Sequence, residues 1–143
     1  MKNGQTLVET IVVIGIVILL ATGLIAGTTA SLKSTRTARV KSQSVKLAQE
    51  GIERTRGLRD KNWAIFREYA GHYCLDTSGN FVQNVSCPMD ISTSDGTFGR
   101  GVQFTWNIIN ERMEVLVSVQ YLDGSDPKKT ELTTYFTEPA LWK

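Results

Sequence analysis

Three side chains in this sequence combine residue types and spacing that do chemistry at short range: His72, Cys74 and Cys87. Cysteines thirteen residues apart can close a disulfide loop, which stabilises a fold by about 3 kcal/mol because it removes loop-closure entropy from the unfolded chain. Zinc binding is the competing use. It needs four ligands with close pairs such as C-x2-C, and only His72 joins the two cysteines. A Cys74–Cys87 disulfide is therefore expected and no metal site. Such a bridge places the residues around it on the oxidising, extracytoplasmic side of a membrane.

The remaining inventory for catalysis is thin. His72 is the lone histidine, and neither G-x-S-x-G nor H-E-x-x-H occurs. The carboxylates of DISTSDG and DGSDP stand in turn contexts, where Asp serves local backbone hydrogen bonding. Asp90, Asp95, Asp123 and Asp126 lack the oxygen-ligand spacing of a calcium loop. No catalytic residue and no cofactor is expected, and the chain reads as a non-enzyme. Of the three tryptophans, Trp106 is expected in the core and Trp63 over a helix end. Trp142 stays open between a partner contact and folding back on the head.

One carboxylate is out of place. Glu9 stands at the front of the most hydrophobic stretch of the chain, followed by 23 positions without an ionisable residue before Lys33. About 20 apolar residues cross a bilayer as a helix, so a membrane span is expected. A cleaved signal peptide has an apolar region of roughly 7 to 15 residues, which this run exceeds. An acidic residue centred in a membrane costs roughly 2.5–3.5 kcal/mol, so Glu9 needs a reason. As the fifth residue counted from Gln5 it lies only about 6 Å deep, and snorkelling to the headgroups is one way to carry the charge.

The formal net charge of +2 hides an uneven distribution. Residues 33–61 carry nine Lys or Arg against Glu50, Glu53 and Asp60, while residues 62–143 carry six basic and ten acidic groups. The chain reads as an apolar anchor, a basic stalk and a mildly acidic head. Lys33, Arg36, Arg39 and Lys41 after the span outnumber Lys2 before it. The rule that cytoplasmic flanks are richer in Lys and Arg thus opposes the orientation that the disulfide requires.

These residues are positioned by one long helix and a β-rich head. From Gln5 to about Lys61 there is no Pro and each Gly is isolated, so a single helix of about 57 residues, roughly 85 Å long, is expected. Beyond the span, Val45, Ala48, Ile52 and Leu58 recur at helical spacing. YCLDTSGNFVQNV reads as a hairpin centred on residues 77–80, and CPMDISTSDGTFGR as a loop. GVQFTWNI, with Val102, Phe104, Trp106 and Ile108 on one face, and MEVLVSVQY, with Met113, Val115, Val117, Val119 and Tyr121, alternate as half-buried strands. DGSDPKK turns the chain into TELTTYFT, where Leu132, Thr134 and Phe136 alternate, which makes a three-stranded antiparallel meander. The expected fold class is α+β: a long N-terminal helix, membrane-spanning in its first half, packed on a small antiparallel sheet.

The opening MKNGQTLVETIVVIGIVILLATGLIAG resembles the type IV pilins and the related secretion pseudopilins. In that family a short basic leader ends in Gly, a membrane peptidase cuts after it, the new N-terminus is methylated, and a Glu follows shortly before a long apolar run. The resemblance implies Lys2 in the leader, cleavage between Gly4 and Gln5, N-methylation of Gln5, and Glu9 paired with the Gln5 amine of an adjacent subunit. It also implies a pilin-like fold; LAQEGIERTRGLRDKNW, Leu47 to Trp63, looks like the helix end of minor pilins and pilus modification proteins. The chain departs from the pattern at three positions. Ala26 stands where many members have a helix-breaking Pro, Ile18 where Gly is common, and Gln5 where Phe is frequent.

The expected organisation is a leader at 1–4, the membrane and assembly half of the helix at 5–32, its basic amphipathic half at 33–61, and the head at 62–143. The expected function is that of a structural subunit, a minor pilin of a type IV pilus-like filament. The alternatives are a pseudopilin of a secretion or competence system, or a permanently anchored single-pass ectodomain that binds partners. The expected partners are a prepilin peptidase, other pilin subunits and the membrane, with the head extracytoplasmic before assembly and in a surface or periplasmic filament after it. Nucleic acid is not an expected partner, because residues 33–59 offer no clustered aromatics beside their cations.

Overall fold

The computed structural model describes residues 3–84 and 86–138, with side chains from Leu7 onward. Lys2, Trp142 and the side chain of Gln5 lie outside what is described. The fold is α+β. Helix α1 (Asn3–Lys61) is followed by a short helix α2 (Trp63–Glu68) and six strands: β1 (Gly71–Leu75), β2 (Phe81–Gln83), β3 (Ile91–Thr93), β4 (Gly96–Asn107), β5 (Arg112–Asp123) and β6 (Asp126–Phe136). Two compact units divide the chain within α1, Met1–Ala38 and Arg39–Lys143.

In the first unit, α1 holds a window apolar and long enough to cross a membrane, none of it covered by the protein itself. The hydroxyls of Thr22, Thr28 and Thr29 donate to the carbonyls of Ile18 (2.8 Å), Leu24 (3.0 Å) and Ile25 (3.0 Å). Polar groups satisfied by their own helix do not oppose burial in hydrocarbon.

In the second unit, the sheet is antiparallel with strand order β2-β1-β4-β5-β6. Strand β3 pairs with β4 on the edge that β1 also uses: β3 covers Gly96 to Phe98 and β1 covers Gly101 to Phe104. The alternation in β4 and β5 is realised, since Val102, Phe104, Met113, Val115, Val117 and Val119 are all buried. Ile108 departs from it. The strand ends at Asn107, whose side chain accepts from the backbone N–H of Ile109 and Asn110, and the loop leaves Ile108 81% exposed. The CPMDISTSDGTFGR stretch is not a plain loop either: it holds β3 and the start of β4, joined by a tight turn at Gly96 with φ +150. The hairpin at residues 77–80 forms as the sequence indicates, with Gly79 at φ +87.

The part of α1 within this unit turns toward the sheet a stripe rotated from the one the apolar residues suggest. Val40, Ser44, Leu47, Ala48, Gly51 and Thr55 are buried, whereas Val45 and Ile52 sit at its margin. Small residues bring helix and sheet close: a Cβ at Gly51 would lie 2.8 Å from Val117 Cγ1. The buried hydroxyls are satisfied, Ser44 by Thr130 (2.7 Å) and Thr55 by the Gly51 carbonyl (2.8 Å). Asn62 stops α1 and caps α2, its side chain accepting from the Ile65 N–H at 3.1 Å. Helix α2 then lays Phe66 edge-on against Phe104 and Phe136, while Trp63 stacks on Phe66 and meets Trp106 edge-on.

Candidate assembly site

Gly4, Gln5 and Glu9 all fall within α1. Gln5 and Glu9 are four residues apart, one turn of helix, and therefore share a face about 6 Å apart along the axis. The Glu9 side chain is exposed, as is the apolar run behind it, where Ile11, Val12 and Ile14 are each more than half exposed. So large an apolar surface on one helix requires a nonaqueous neighbour, lipid or protein. Gly23 and Gly27 lie one turn apart on this surface, and a Cβ at either would meet nothing within 4 Å. Small residues four apart let a second helix approach closely in a membrane, and that spacing is legible in the sequence itself.

Cys74 on β1 and Cys87 in the loop before β3 form a disulfide, with Cα atoms 5.2 Å apart. Among the described residues the one group of three with metal-ligand types in close range is His72, Cys74 and Cys87. With both sulfurs bonded to each other, neither offers the thiolate a metal would need. The His72 ring instead lies over Gly101, Nε2 standing 2.6 Å from where a Cβ would be, and Nδ1 hydrogen-bonds the Asn84 carbonyl. Histidine and disulfide thus tie Asn84 and Cys87 to β1, and the Pro88 carbonyl stands close over Gly99 of β4. Asp90, Asp95, Asp123 and Asp126 are not gathered: Asp90 precedes β3, Asp95 lies in the β3–β4 turn, and Asp123 faces Asp126 at the β5–β6 turn.

The cations of α1 divide into two groups. Arg54, Arg56 and Arg59 pair with Glu50 (3.0 Å), Glu53 (2.7 Å) and Asp60 (2.6 Å). Among the described residues Lys33, Arg36, Arg39, Lys41, Lys46 and Lys61 are exposed and in no ion pair. A group that sequence reading missed is Arg100, on β4 under α1. Its Nη1 donates to the Leu47 carbonyl at 3.1 Å and lies 3.3 Å from Glu50. Burial lowers the Arg100 pKa, and Glu50 works against that. At Glu50 burial raises the pKa, but the hydrogen bond from Arg54 and the charge of Arg100 outweigh it, so its carboxyl lies below the usual range.

No family model, curated protein or solved structure matches the chain. The functional reading therefore rests on the residues and the geometry given above.

Proposed function

We propose that the chain is a prepilin-type structural subunit, a minor pilin of a type IV pilus-like filament, cut after Gly4 and assembled through α1. The observation that carries this reading is Glu9: a carboxylate five residues past Gly4, exposed on a helix whose next 23 residues hold no charge. An unpaired carboxylate is costly in hydrocarbon, and a cationic amine at Gln5 of a neighbouring chain neutralises it while setting the axial register between subunits. The open faces at Gly23 and Gly27 suit the helix-to-helix packing such a filament needs. The disulfide supports an extracytoplasmic head before assembly. Prepilin peptidase, other pilin subunits and the membrane are the partners in this reading, and no catalytic step is assigned to the chain.

Mass spectrometry of the protein from its native membrane tests it. A chain beginning at N-methylated Gln5 is the expected species. An intact Met1 would sink the filament reading and leave a permanently anchored ectodomain.

A further inference from the structure

On the sheet face turned away from α1, a ring nitrogen of His72 and the sulfurs of Cys74 and Cys87 all lie within 4.8 Å of one another. The placement follows from register. Cys74 stands opposite Gly101 and Gly101 opposite Ser118, one residue out of phase with Val102 and Val117, and Val117 is the residue that meets Gly51 of α1. His72 shares the Cys74 face, two residues earlier on β1.

The imidazole is oriented as a ligand. Its Nδ1 contacts the Asn84 carbonyl, which can only accept, so Nδ1 carries the proton and Nε2 keeps its lone pair. A histidine that binds metal holds its other nitrogen in this way. Nε2 stands 2.6 Å from the point where a Cβ of residue 101 would be, and Ser118 Oγ stands 3.0 Å from the same point. Glycine at 101 therefore keeps clear the space between the ring, Cys74 and the Ser118 hydroxyl.

Bonds other than the disulfide hold these groups. Strand β1 is paired on both sides, to β2 and to β4. The Asn84 N–H donates to the His72 carbonyl at 3.3 Å, so two hydrogen bonds tie residue 84 to residue 72 just ahead of Cys87. The carbonyls of Cys87 and Pro88 close over Gly99, 3.2 and 2.9 Å from where its Cβ would stand.

We propose that the reduced head binds one Zn²⁺ ion through His72 Nε2 and the thiolates of Cys74 and Cys87, with a water beside Ser118 in the fourth position. Three protein ligands and a water make an open tetrahedral zinc site. Reduction by a dithiol transfers two electrons and two protons to the sulfurs, and the reductant leaves as its own disulfide. Zinc then replaces the two thiol protons, which pass to solvent, and its oxidation state does not change. The oxidised and the reduced head thus fasten Cys87 to β1 by different bonds. Solvent reaches the exchange because His72 and Cys87 are part-exposed. The site is independent of cleavage and of filament assembly.

Metal titration of the full-length chain in detergent tests the site, with Co²⁺ as the spectroscopic probe and Zn²⁺ as the competitor. After reduction by a dithiol and removal of the reductant under nitrogen, the chain is expected to bind one Co²⁺ with a thiolate-to-cobalt charge-transfer band that Zn²⁺ abolishes. The oxidised chain is expected to show no such band. Cys74→Ser should remove it, and His72→Gln should weaken zinc binding about tenfold or more. Equal affinity in the parent and His72→Gln would reduce the site to two thiolates and overturn the proposal, as would metal uptake that ignores the redox state. A reduced chain that takes up no metal would overturn it too, even one that had lost its fold, because zinc bound by these ligands would drive refolding.

Discussion

Arg100, with only 2% of its side chain exposed, reaches from the middle of the sheet to the Leu47 carbonyl of α1, and Glu50 lies 3.3 Å from the same nitrogen. A cation buried under a helix is stabilised only while its partners stay in place. Glu50→Gln should therefore destabilise the folded head by about 1 kcal/mol, a value discounted because Glu50 is 44% exposed. Arg100→Met, which removes the charge and keeps most of the volume, should change stability by less than about 1 kcal/mol. In the double variant, the cost of Glu50→Gln should shrink to the few tenths of a kcal/mol, roughly, that its exposed pair with Arg54 contributes. Denaturant titration of the full chain in detergent checks all three. An undiminished cost in the double variant would mean that Glu50 acts through something other than Arg100.

Glu50 also sets a pH dependence. Its carboxyl is held below its ordinary value of 4.5, so the folded state binds its proton more weakly than the unfolded state does. Stability from this group is then present in full above the unfolded pKa and is lost as pH falls through the folded pKa. The thermal midpoint of the head should decline below about pH 4.5 and stay level from there to neutrality as far as this group is concerned. In Glu50→Gln the acid-side decline should be shallower, and an unchanged slope would assign it to other carboxylates.

Two glycines of α1 should respond in opposite ways to the same change. A methyl group at Gly57 would have open space around it, whereas a Cβ at Gly51 would press on Val117 at 2.8 Å. Gly57→Ala should stabilise by up to about 1 kcal/mol, the helix-propensity difference. At Gly51 the contact outweighs the same gain, and Gly51→Ala should cost about 1 kcal/mol as overpacking presses the helix from β5. Thermal melts of the two alanine variants side by side give the answer. Equal stabilisation at both positions would show that the seam between α1 and β5 has room for a methyl group.

What the sequence makes legible follows from how each element is stabilised. Strands β4 and β5 show because one face is buried along their length, so Val102 to Phe104 and Met113 to Val119 alternate strictly. The stripe of α1 does not show, because its contact residues include Ser44, Gly51 and Thr55, chosen for size and for hydroxyls that find partners. Strand β3 is three residues of Ile, Ser and Thr, too short to display a period, although Gly96 marks its turn. Helix α2 is announced by Asn62 alone, a cap residue hidden in a longer helical pattern. At the candidate sites, the Cys74–Cys87 bond is legible because these are the two cysteines of the chain and their spacing suits a short closed loop. The Glu50–Arg100 pair joins residues distant in sequence, and no local pattern encodes it.

The role proposed for Glu9 makes insertion and assembly separable. If the carboxylate served membrane insertion, removing it would leave the chain poorly inserted. The physics runs the other way, since a carboxylate in hydrocarbon is a cost and Ala removes it. Glu9→Ala should insert at least as well as the parent and keep the Cys74–Cys87 bond oxidised, yet fail to enter filaments. Glu9→Asp keeps the charge but draws it back by one methylene, so incorporation should fall without vanishing. Membrane fractionation with a count of sheared filament subunits reads both steps in one sample. Normal incorporation of the Ala variant would end the docking role of this charge, whereas loss of both Ala and Asp variants from the membrane fraction would assign it to insertion.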